Sequence, residues 1–240
     1  EESKKIHHQA FYDHLTGLAN RLTLQDRIEK QISRLDRHDF YGALLFIDLD
    51  HFKTINDSLG HNFGDEILKT ISLRLQEIIR DEDTVARLGG DEFTIILEEL
   101  SQPQDASVIA TKILDSLSKS INVDDNTLYV SCSIGISIYP EDGVSAQNLL
   151  KFADSAMYKA KDEGRNNFQY YNSTMTELAF ERVVMETSLR AALKNEEFVV
   201  YYQPQMNGIT DKLIGMEALV RWQHPSMGLV SPAKFIPLAE

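Results

Sequence analysis

The chain has 240 residues, which is enough for one well-packed domain and part of a second. Hydrophobic residues make up 42% and charged residues 25%, the balance of an ordinary folded protein rather than a disordered one. The formal net charge of -13 argues against a protein that binds a nucleic-acid polymer through a basic face. It does not argue against a nucleotide ligand, because metal ions can bridge carboxylates to phosphates.

The cysteine content and the two ends of the chain indicate its setting. A single cysteine, Cys132, excludes an intrachain disulfide and fits a reducing compartment. No apolar run approaches the roughly 20 residues needed to span a bilayer, and no signal peptide is visible. The chain begins without Met and stops inside an apolar motif. We therefore expect a piece of a longer protein, with room upstream for a sensor domain or a membrane anchor.

The first elements are a helix end, a turn and a second helix. Residues 1–12 are typical of a linker helix arriving from an upstream domain, and Gly17 marks the turn that follows. Asn20 is suited to capping a new helix. Apolar residues then recur at helical spacing and predict one buried stripe. They are Leu24, Ile28, Ile32 and Leu35.

A buried strand and a hairpin follow. Residues 41–49 are uniformly apolar and too few for a surface helix, which predicts a central strand ending in the carboxylates Asp48 and Asp50. After an amphipathic helix through Phe63 and Ile78, two β-rich segments flank the sequence GGDE at residues 89–92. Glycine tolerates the positive φ angles of tight turns, so this sequence predicts a hairpin.

The rest of the first domain alternates between helices and strands. We expect a helix over residues 106–120, a strand over 128–139, a helix over 147–161 and a last strand over 167–171. The strand at 128–139 places Val130, Cys132, Ile134, Ile136 and Ile138 on one face. The order contains a βαββαβ core, so the fold class is α+β and ferredoxin-like, with extra helices.

A second unit begins after a linker. Residues 173–195 contain a long helix without Pro or Gly, and strands at 198–203 and 213–222 follow. We therefore divide the chain into an incoming helix at 1–12, a first domain at 13–172, a linker helix at 173–195 and the start of another domain at 196–240.

The acidic residues at the strand end and on the hairpin are the first candidates for chemistry. If the hairpin pairs beside the first strand, Asp48, Asp91 and Glu92 converge, and like charges so close repel unless a cation lies between them. Oxygen ligands suit Mg²⁺, which binds through one or two carboxylates plus substrate phosphates. The glycines allow a phosphate or ribose to approach the backbone. The alternative is a plain hairpin with two solvated acids.

The sequence resembles the GGDEF-domain diguanylate cyclases over about residues 10–172. The signature RLGGDEF at residues 87–93 matches that family without departure, and further motifs stand at family spacing on both sides. These are DHLTGLANR at residues 13–21, FIDLDHFK at 46–53, IND at 55–57, GHNFGD at 60–65 and AKDEGRN at 160–166.

The resemblance implies a nucleotidyl-cyclase or palm-like fold and a role for individual residues. Asp48, Asp91 and the carbonyl of Leu49 would hold Mg²⁺ or Mn²⁺, and Glu92 would lie by the metals and the reacting 3′-hydroxyl. The catalytic set would be Asp91, Glu92 and Lys53. Residues that bind GTP would be Phe52, Lys53, Asn56, Asp65, Gly90, Lys161 and Arg165, with Asn56 and Asp65 reading guanine and the basic residues neutralising the triphosphate. Without the resemblance, Lys53, Lys161 and Arg165 are typical of solvated residues at helix ends.

The implied reaction is phosphoryl transfer between two GTP molecules to give cyclic di-GMP and pyrophosphate. Each domain would hold one GTP, so the resemblance implies a homodimer whose geometry controls catalysis. It also places the domain in the cytoplasm. The sequence RDED at residues 80–83 resembles the family's inhibitory product site, through Arg80 and Asp83. The alternative is a charged helix end at the surface.

The last segment resembles the opening of an EAL phosphodiesterase domain. The matching residues are YQP at 202–204 and MEALVRW at 216–222, which imply that Glu217 binds metal and that Gln203 and Arg221 contact the dinucleotide. That fold is a TIM-type barrel of about 250 residues, so only a truncated, inactive piece is expected here. The remainder of the EAL domain would lie downstream.

Two other functions stay open at this point. The first domain could be a GTP-binding module that no longer condenses GTP and instead regulates the attached phosphodiesterase. It could also be a cyclic di-GMP receptor acting through Arg80 and Asp83. The intact GGDEF sequence favours an active cyclase, because a retired site has no physical need for both acids.

Overall fold

The computed structural model describes residues 11–35, 40–124 and 126–239. Its contacts divide the chain into two compact units, Glu1–Thr176 and Glu177–Glu240. The incoming helix predicted at residues 1–12 lies, up to residue 10, outside the described residues. No helix within the described ranges is both long and apolar enough to cross a membrane.

The first unit is built on a five-stranded sheet in the order β2-β3-β1-β6-β7. Strand β1 lies at its centre and pairs antiparallel with β3 on one side and β6 on the other. The short β7 runs parallel to β6 at the edge. The strands are β1 (Tyr41–Leu49), β2 (Thr84–Gly89), β3 (Glu92–Leu100), β6 (Cys132–Tyr139) and β7 (Phe168–Tyr170), with β4 (Ile121–Val123) and β5 (Asn126–Leu128) forming a separate two-stranded ribbon.

Helices cover both faces of this sheet. One apolar cluster joins the sheet to α3 and α4, and a second joins the opposite face to α1 and α5. Strand β1 serves both clusters, with Leu45 and Ile47 in the first and Leu44 and Phe46 in the second, because successive side chains alternate between faces. The helices are α1 (Arg21–Leu35), α2 (Phe52–Leu59), α3 (His61–Ile78), α4 (Asp105–Leu117) and α5 (Ala146–Asp162).

The α+β, ferredoxin-like prediction is confirmed. The units β1, α2–α3, β2, β3, α4 and β6 give the βαββαβ order, and the four strands lie in the sheet as β2-β3-β1-β6. The predicted cap is also present, since the Thr23 backbone N–H donates to Asn20 Oδ1 at 3.0 Å where α1 begins. The apolar face predicted from Val130 to Ile138 packs into the first cluster.

One local prediction was wrong, and one element was missed. The strand expected over residues 128–139 is shorter, because the chain leaves the β4–β5 ribbon at Leu128 and enters the sheet only at Cys132. The amphipathic helix predicted through Phe63 and Ile78 is present as α3, but the sequence did not predict the separate helix α2, which meets α3 at Gly60. Gly60 has a φ of 90°, a left-handed conformation that interrupts a helix and favours glycine.

The second unit has its own small core. Helix α6 (Ser173–Lys194) runs across the division between the units, and a three-stranded sheet follows in the order β10-β9-β8. Ala192, Trp222, Val230 and Phe235 form the core of this unit. Its elements after α6 are β8 (Phe198–Met206), β9 (Leu213–His224), β10 (Gly228–Val230) and α7 (Pro232–Ala239).

Candidate active site

The predicted carboxylates lie at one end of the central strand. Asp48 on β1 is directly opposite Glu92 on β3, and the Leu49 N–H donates to the Asp91 carbonyl at 3.3 Å. The structure therefore places the hairpin tip beside the end of β1, as the sequence predicts. Asp48 is only 8% exposed, so its charge is largely removed from water.

The hairpin turn depends on its glycines and on Arg87. Gly89 and Gly90 have φ angles of 145° and 51°, and a Cβ on either would meet no atom within 4 Å, so the space outside the turn is open. The Arg87 guanidinium donates to the Gly90 carbonyl at 2.7 and 3.1 Å and pairs with Asp13 at 2.9 Å. A side chain from the turn near the start of the chain thus helps to fix the hairpin.

Helix α5 brings a cation to the carboxylates. Lys161 Nζ lies 2.8 Å from Asp48 Oδ1 and 5.4 Å from the centroid of the Tyr158 ring. Gly135 on β6 makes this close approach possible, because a Cβ there would overlap the Ala153 carbonyl oxygen and the Met157 nitrogen of α5. Of the two predicted triphosphate residues on this segment, Lys161 therefore lies at the carboxylate edge itself.

A fourth carboxylate, Asp154 of α5, belongs to the same edge and was missed at the sequence level. Burial raises the pKa of Glu92, and the charges of Asp154 and Asp91 raise it further. Burial likewise raises the pKa of Asp48, against the hydrogen bond and charge of Lys161, and the charges of Asp91 and Glu92 add to the rise. The spacing of Asp154 and Lys161 places both on one side of α5. This spacing could have indicated that Asp154 belongs to the site, but only if the position of β1 had been known.

The donor chemistry of this edge fits a hard divalent cation. The acids whose charges act on Asp48, namely Asp91 and Glu92, offer carboxylate oxygens, and the pKa values of Asp48 and Glu92 are raised first by burial and then by neighbouring negative charge. Within the described ranges no group of three or more His, Cys, Asp or Glu is already arranged around a metal position. Mg²⁺ commonly binds through one or two carboxylates and completes its shell with phosphates and water, so the edge fits Mg²⁺ once a nucleotide is present.

The beginning of α2 is a further candidate binding element. It follows the carboxylate end of β1 directly, and a helix start presents free N–H groups to an anion. Lys53 in this first turn is exposed and makes no ion pair with any described residue. Phe52 is buried in the core, so only its backbone is available to the predicted ligand. We therefore restrict the predicted role of Phe52 in GTP binding to its backbone N–H.

The predicted guanine-reading residues meet at the junction of α2 and α3. Asn56 Oδ1 is buried and has no hydrogen-bond partner, which is a costly state for a polar atom. It lies against Gly64, where a Cβ would overlap it. Asp65 is the next residue along α3 and is half-buried. The junction therefore holds an acceptor without a donor, next to a carboxylate.

The loop after α5 carries the other predicted phosphate ligand, Arg165. Gly164, Arg165 and Asn166 have φ angles of 107°, 63° and 48°, so three consecutive residues are left-handed. The Asn166 N–H donates to Asp50 Oδ2 at 3.1 Å. Asp50, to which the sequence assigned no role, is 4% exposed and is the residue that holds this loop.

Arg80 and Asp83 lie away from the carboxylate edge, at the start of β2. Both oxygens of Asp83 are engaged, because the Arg80 N–H donates to Oδ2 at 3.1 Å and the Glu98 N–H donates to Oδ1 at 3.0 Å. The Arg80 side chain is exposed and its nearest acid, Glu82, is 3.9 Å away. Two surface cavities of about 330 and 360 Å³ are lined by both Arg80 and Asp83.

The predicted EAL residues share one face of the β8–β9 pair. Gln203 is directly opposite Glu217, and Arg221 is opposite Val199. The Arg221 guanidinium lies 5.8 Å from the centroid of the Tyr201 ring. Gln203 and Glu217 are exposed, so the predicted dinucleotide residues stand on an open sheet face.

Two family profiles match the chain. The diguanylate cyclase GGDEF domain matches residues 10–167, and the EAL domain matches residues 186–240. Over 96% of its length the chain is 42% identical to MucR of Pseudomonas aeruginosa, named a bifunctional diguanylate cyclase and cyclic di-GMP phosphodiesterase, of which it covers 34%. It is 39% identical over 98% of its length to NbdA of the same species, named a cyclic di-GMP phosphodiesterase, of which it covers 30%. The chain thus spans about a third of these relatives.

Solved structures agree with these matches. The GGDEF domain of YfiN (TpbB) from Pseudomonas aeruginosa is 39% identical, with a TM-score of 0.68 over 70% of this chain and 98% of that one. DgcB from Caulobacter crescentus, solved with cyclic di-GMP, is 25% identical, with a TM-score of 0.62 over 70% of this chain and 90% of that one. With its hairpin signature beside the Asp48 strand and the family profile over residues 10–167, the chain belongs to the diguanylate cyclase GGDEF-domain family, and its last residues are the start of an EAL domain.

Proposed function

We propose that this domain is an active diguanylate cyclase, which condenses two GTP into cyclic di-GMP and two pyrophosphates. The observation that carries the proposal is the complete acidic edge, in which Asp48 faces Glu92 and Asp91 follows an open glycine turn. Lys161 already places a positive charge on Asp48. An edge that is short of cations and open to solvent suits a metal-bound triphosphate.

The chain's own residues account for nucleotide binding. The free N–H groups at the start of α2, together with Lys53, would bind the phosphates. The unpaired Asn56 Oδ1 would accept from guanine, and the carboxylate of Asp65 would accept a second guanine N–H. Lys161 and Arg165 would add charge from the α5 side, and Gly90 leaves space for the ribose and phosphates.

Asp48, Asp91 and the Leu49 carbonyl are the residues that would hold Mg²⁺. Bound there, the ion would lower the pKa of the attacking hydroxyl and stabilise charge on the leaving group. Glu92 stands at the same edge, beside the proposed metal ligands, where burial and the charges of Asp154 and Asp91 raise the pKa of its carboxyl. The 3′-oxygen of one GTP would attack the α-phosphorus of another, which expels pyrophosphate.

Two copies of the domain are needed for this reaction. One domain offers one acidic edge and one Asn56 junction, which together accommodate a single GTP. The second GTP must come from another copy facing the first, so the active species would be a homodimer. Catalysis would then depend on how two bound nucleotides are aligned.

Product binding at Arg80 would restrain the enzyme. The Arg80 guanidinium is exposed between two cavities and suits a phosphate or the guanine edge. Because Asp83 is already bonded to two backbone N–H groups, we assign it mainly to shaping this site. This narrows the role predicted from the sequence, where Asp83 was a direct contact.

A second candidate function is regulation of the EAL domain by bound GTP without turnover. NbdA supports this candidate. It is similar to this chain over both the GGDEF and the EAL segments, yet it is named only as a cyclic di-GMP phosphodiesterase. Incubation of the purified protein with GTP and Mg²⁺, followed by chromatography, separates the candidates. Cyclic di-GMP formation supports a cyclase, bound but unchanged GTP supports a regulatory module, and product binding without GTP binding supports a receptor.

A further inference from the structure

Asp50 lies at the meeting point of three chain segments. Its carboxylate accepts from the Ser131 hydroxyl at 2.6 Å, the Ser133 hydroxyl at 2.7 Å and the Asn166 N–H at 3.1 Å. Its own N–H donates to the Ser131 carbonyl at 2.9 Å. We call Asp50, Ser131, Ser133 and Asn166 the Asp50 cluster. It joins the end of β1, the entry to β6 and the loop after α5.

The loop that Asp50 holds is conformationally unfavourable. Arg165 and Asn166 are left-handed although neither is glycine; Asn tolerates this conformation, whereas for Arg165 it costs about 1–2 kcal/mol. Other bonds support the same loop, since Asn167 Nδ2 donates to the carbonyls of Ala160 and Arg165 at 2.8 and 2.9 Å. The bond from the Asn166 N–H to Asp50 ties the loop to the end of the strand that carries Asp48. Strain of this kind persists where surrounding contacts impose it.

We propose that Asp50 is a positioning residue, which fixes the position of Arg165 relative to Asp48 and thereby strengthens binding of the triphosphate. It touches no ligand itself. It works through the Asn166 N–H, the neighbour of Arg165. This inference rests on the proposed phosphate role of Arg165, and it adds a residue to which neither the sequence motifs nor the proposed mechanism gave a task.

The first test uses two substitutions of Asp50. Asp50→Ala removes all three acceptor contacts, and the affinity for a non-hydrolysable GTP analogue with Mg²⁺, measured by calorimetry, should fall about 10- to 100-fold, as for other partners of site residues. Asp50→Asn should recover most of that loss. Its amide oxygen can accept from Ser131 and Asn166 while its NH₂ donates to the Ser133 oxygen.

Asp142→Ala is the matched control. Asp142 is a half-buried carboxylate, less buried than Asp50, that likewise accepts a backbone N–H, that of Ile138 at 2.6 Å, but it lies beyond the far end of β6. Its removal should lower the free energy of unfolding in urea without changing analogue affinity. If Asp50→Ala weakens the analogue no more than Asp142→Ala does, the proposal is wrong.

A double-mutant cycle identifies the route of the effect. If Asp50 acts through Arg165, the Asp50→Ala/Arg165→Ala variant should bind the analogue as weakly as Arg165→Ala alone. Additive losses would overturn the proposal. Should Asp50→Ala not fold, Ser131→Ala removes a single contact of the cluster. It should then weaken binding severalfold, again only when Arg165 is present, and unchanged binding would contradict the proposal.

The outcome is separable from that of the proposed function. Analogue affinity is measured without turnover, so the cycle reports on Asp50 even in a protein that forms no cyclic di-GMP. In an active protein, the Michaelis constant for GTP should rise in Asp50→Ala by a larger factor than kcat falls. A general loss of folded protein would instead lower kcat alone.

Discussion

The ammonium of Lys161 lies 2.8 Å from the Asp48 carboxylate. A cation would be expected here, because Asp91 and Glu92 lie at the same edge. Asp48 lies near the end of strand β1 and Lys161 in the last turn of helix α5, and the pair is mostly shielded, with 12% and 23% of the side chains exposed. A divalent cation bound as proposed would therefore compete with Lys161 for Asp48. The displaced lysine would then be free to turn to the triphosphate.

Replacing Lys161 should affect both the reaction with GTP and the binding of Mg²⁺ to the nucleotide-free protein. Lys161→Met should lower kcat/KM for GTP by about 100-fold or more, the loss typical of removing one donor aimed at developing charge. Without nucleotide, Mg²⁺ should raise the melting temperature of Lys161→Met more than that of the wild type, because no ammonium competes. Lys159→Met is the control, since Lys159 pairs with the exposed Glu163 directly after α5 rather than with an acid of the site. Equal effects of the two substitutions would contradict the assignment.

Asn56 should determine the recognition of guanine. Because its buried oxygen has no partner, Asn56→Ala removes an acceptor without breaking any internal bond. We expect GTP affinity to fall about 10- to 100-fold, the equivalent of 1–3 kcal/mol, while the melting temperature of the nucleotide-free protein stays level or rises. Gly64→Ala, whose Cβ would displace Asn56, should reproduce the binding loss. Unchanged preference for GTP over ATP in both variants would refute this role.

The Asp13–Arg87 pair should stabilise the domain in a pH-dependent way. Burial raises the pKa of Asp13, but hydrogen bonds from Thr16 and Arg87 outweigh it and hold the pKa below its ordinary 3.8. A lowered pKa means that the stabilisation is present above pH 3.8 and is lost as the pH falls through the folded value. Asp13→Asn should thus cost about 1–3 kcal/mol at pH 7, with the two proteins converging in acid.

Urea unfolding between pH 3 and 7 is the measurement for Asp13. Asp26→Asn removes an exposed ion pair to Lys30 on α1 and should change stability by less than about 1 kcal/mol. If the difference in unfolding free energy between the wild type and Asp13→Asn stays constant down to the lowest pH measured, the charge of Asp13 is not the cause of the stabilisation.

The inhibitory site should be tested at Arg80 rather than Asp83. Arg80→Ala removes an exposed side chain, so the protein should stay folded and cyclic di-GMP should no longer slow the initial rate. Asp83→Ala also removes two acceptors of backbone N–H groups and should lower stability by about 1–3 kcal/mol. Glu82→Ala serves as the neighbouring control. Inhibition that survives unchanged in Arg80→Ala would exclude this site.

The sequence was sufficient for features that depend on local pattern. The glycines at 89 and 90 predict the hairpin because they permit positive φ, and alternating apolar residues predict which face of β6 packs into the first apolar cluster. The convergence of Asp48 with the acids of the hairpin was predicted on the condition that the hairpin pairs beside the first strand, and the pairing of Asp48 with Glu92 meets that condition. These predictions need only neighbours in the chain and the pairing of adjacent strands.

The sequence was insufficient where a partner comes from far along the chain. Asp50 bonds to residues 81, 83 and 116 positions away, and nothing near Asp50 in the sequence indicates those contacts. Asp154 looks like one more polar residue of α5 until Gly135 brings that helix against β6. Asp83 likewise appears as a free ligand in the sequence, whereas its oxygens cap backbone N–H groups in the fold.

The central claim is that the acidic edge condenses GTP. The most direct measurement follows radiolabelled GTP with Mg²⁺ and determines cyclic di-GMP and pyrophosphate together, for the wild type and Asp91→Asn. We predict two pyrophosphates for each cyclic di-GMP in the wild type, and a rate at least about 100-fold lower in Asp91→Asn, since even indirect partners of a metal cost about 10- to 100-fold. Unchanged GTP, release of GDP and phosphate, or equal turnover in Asp91→Asn would contradict the account.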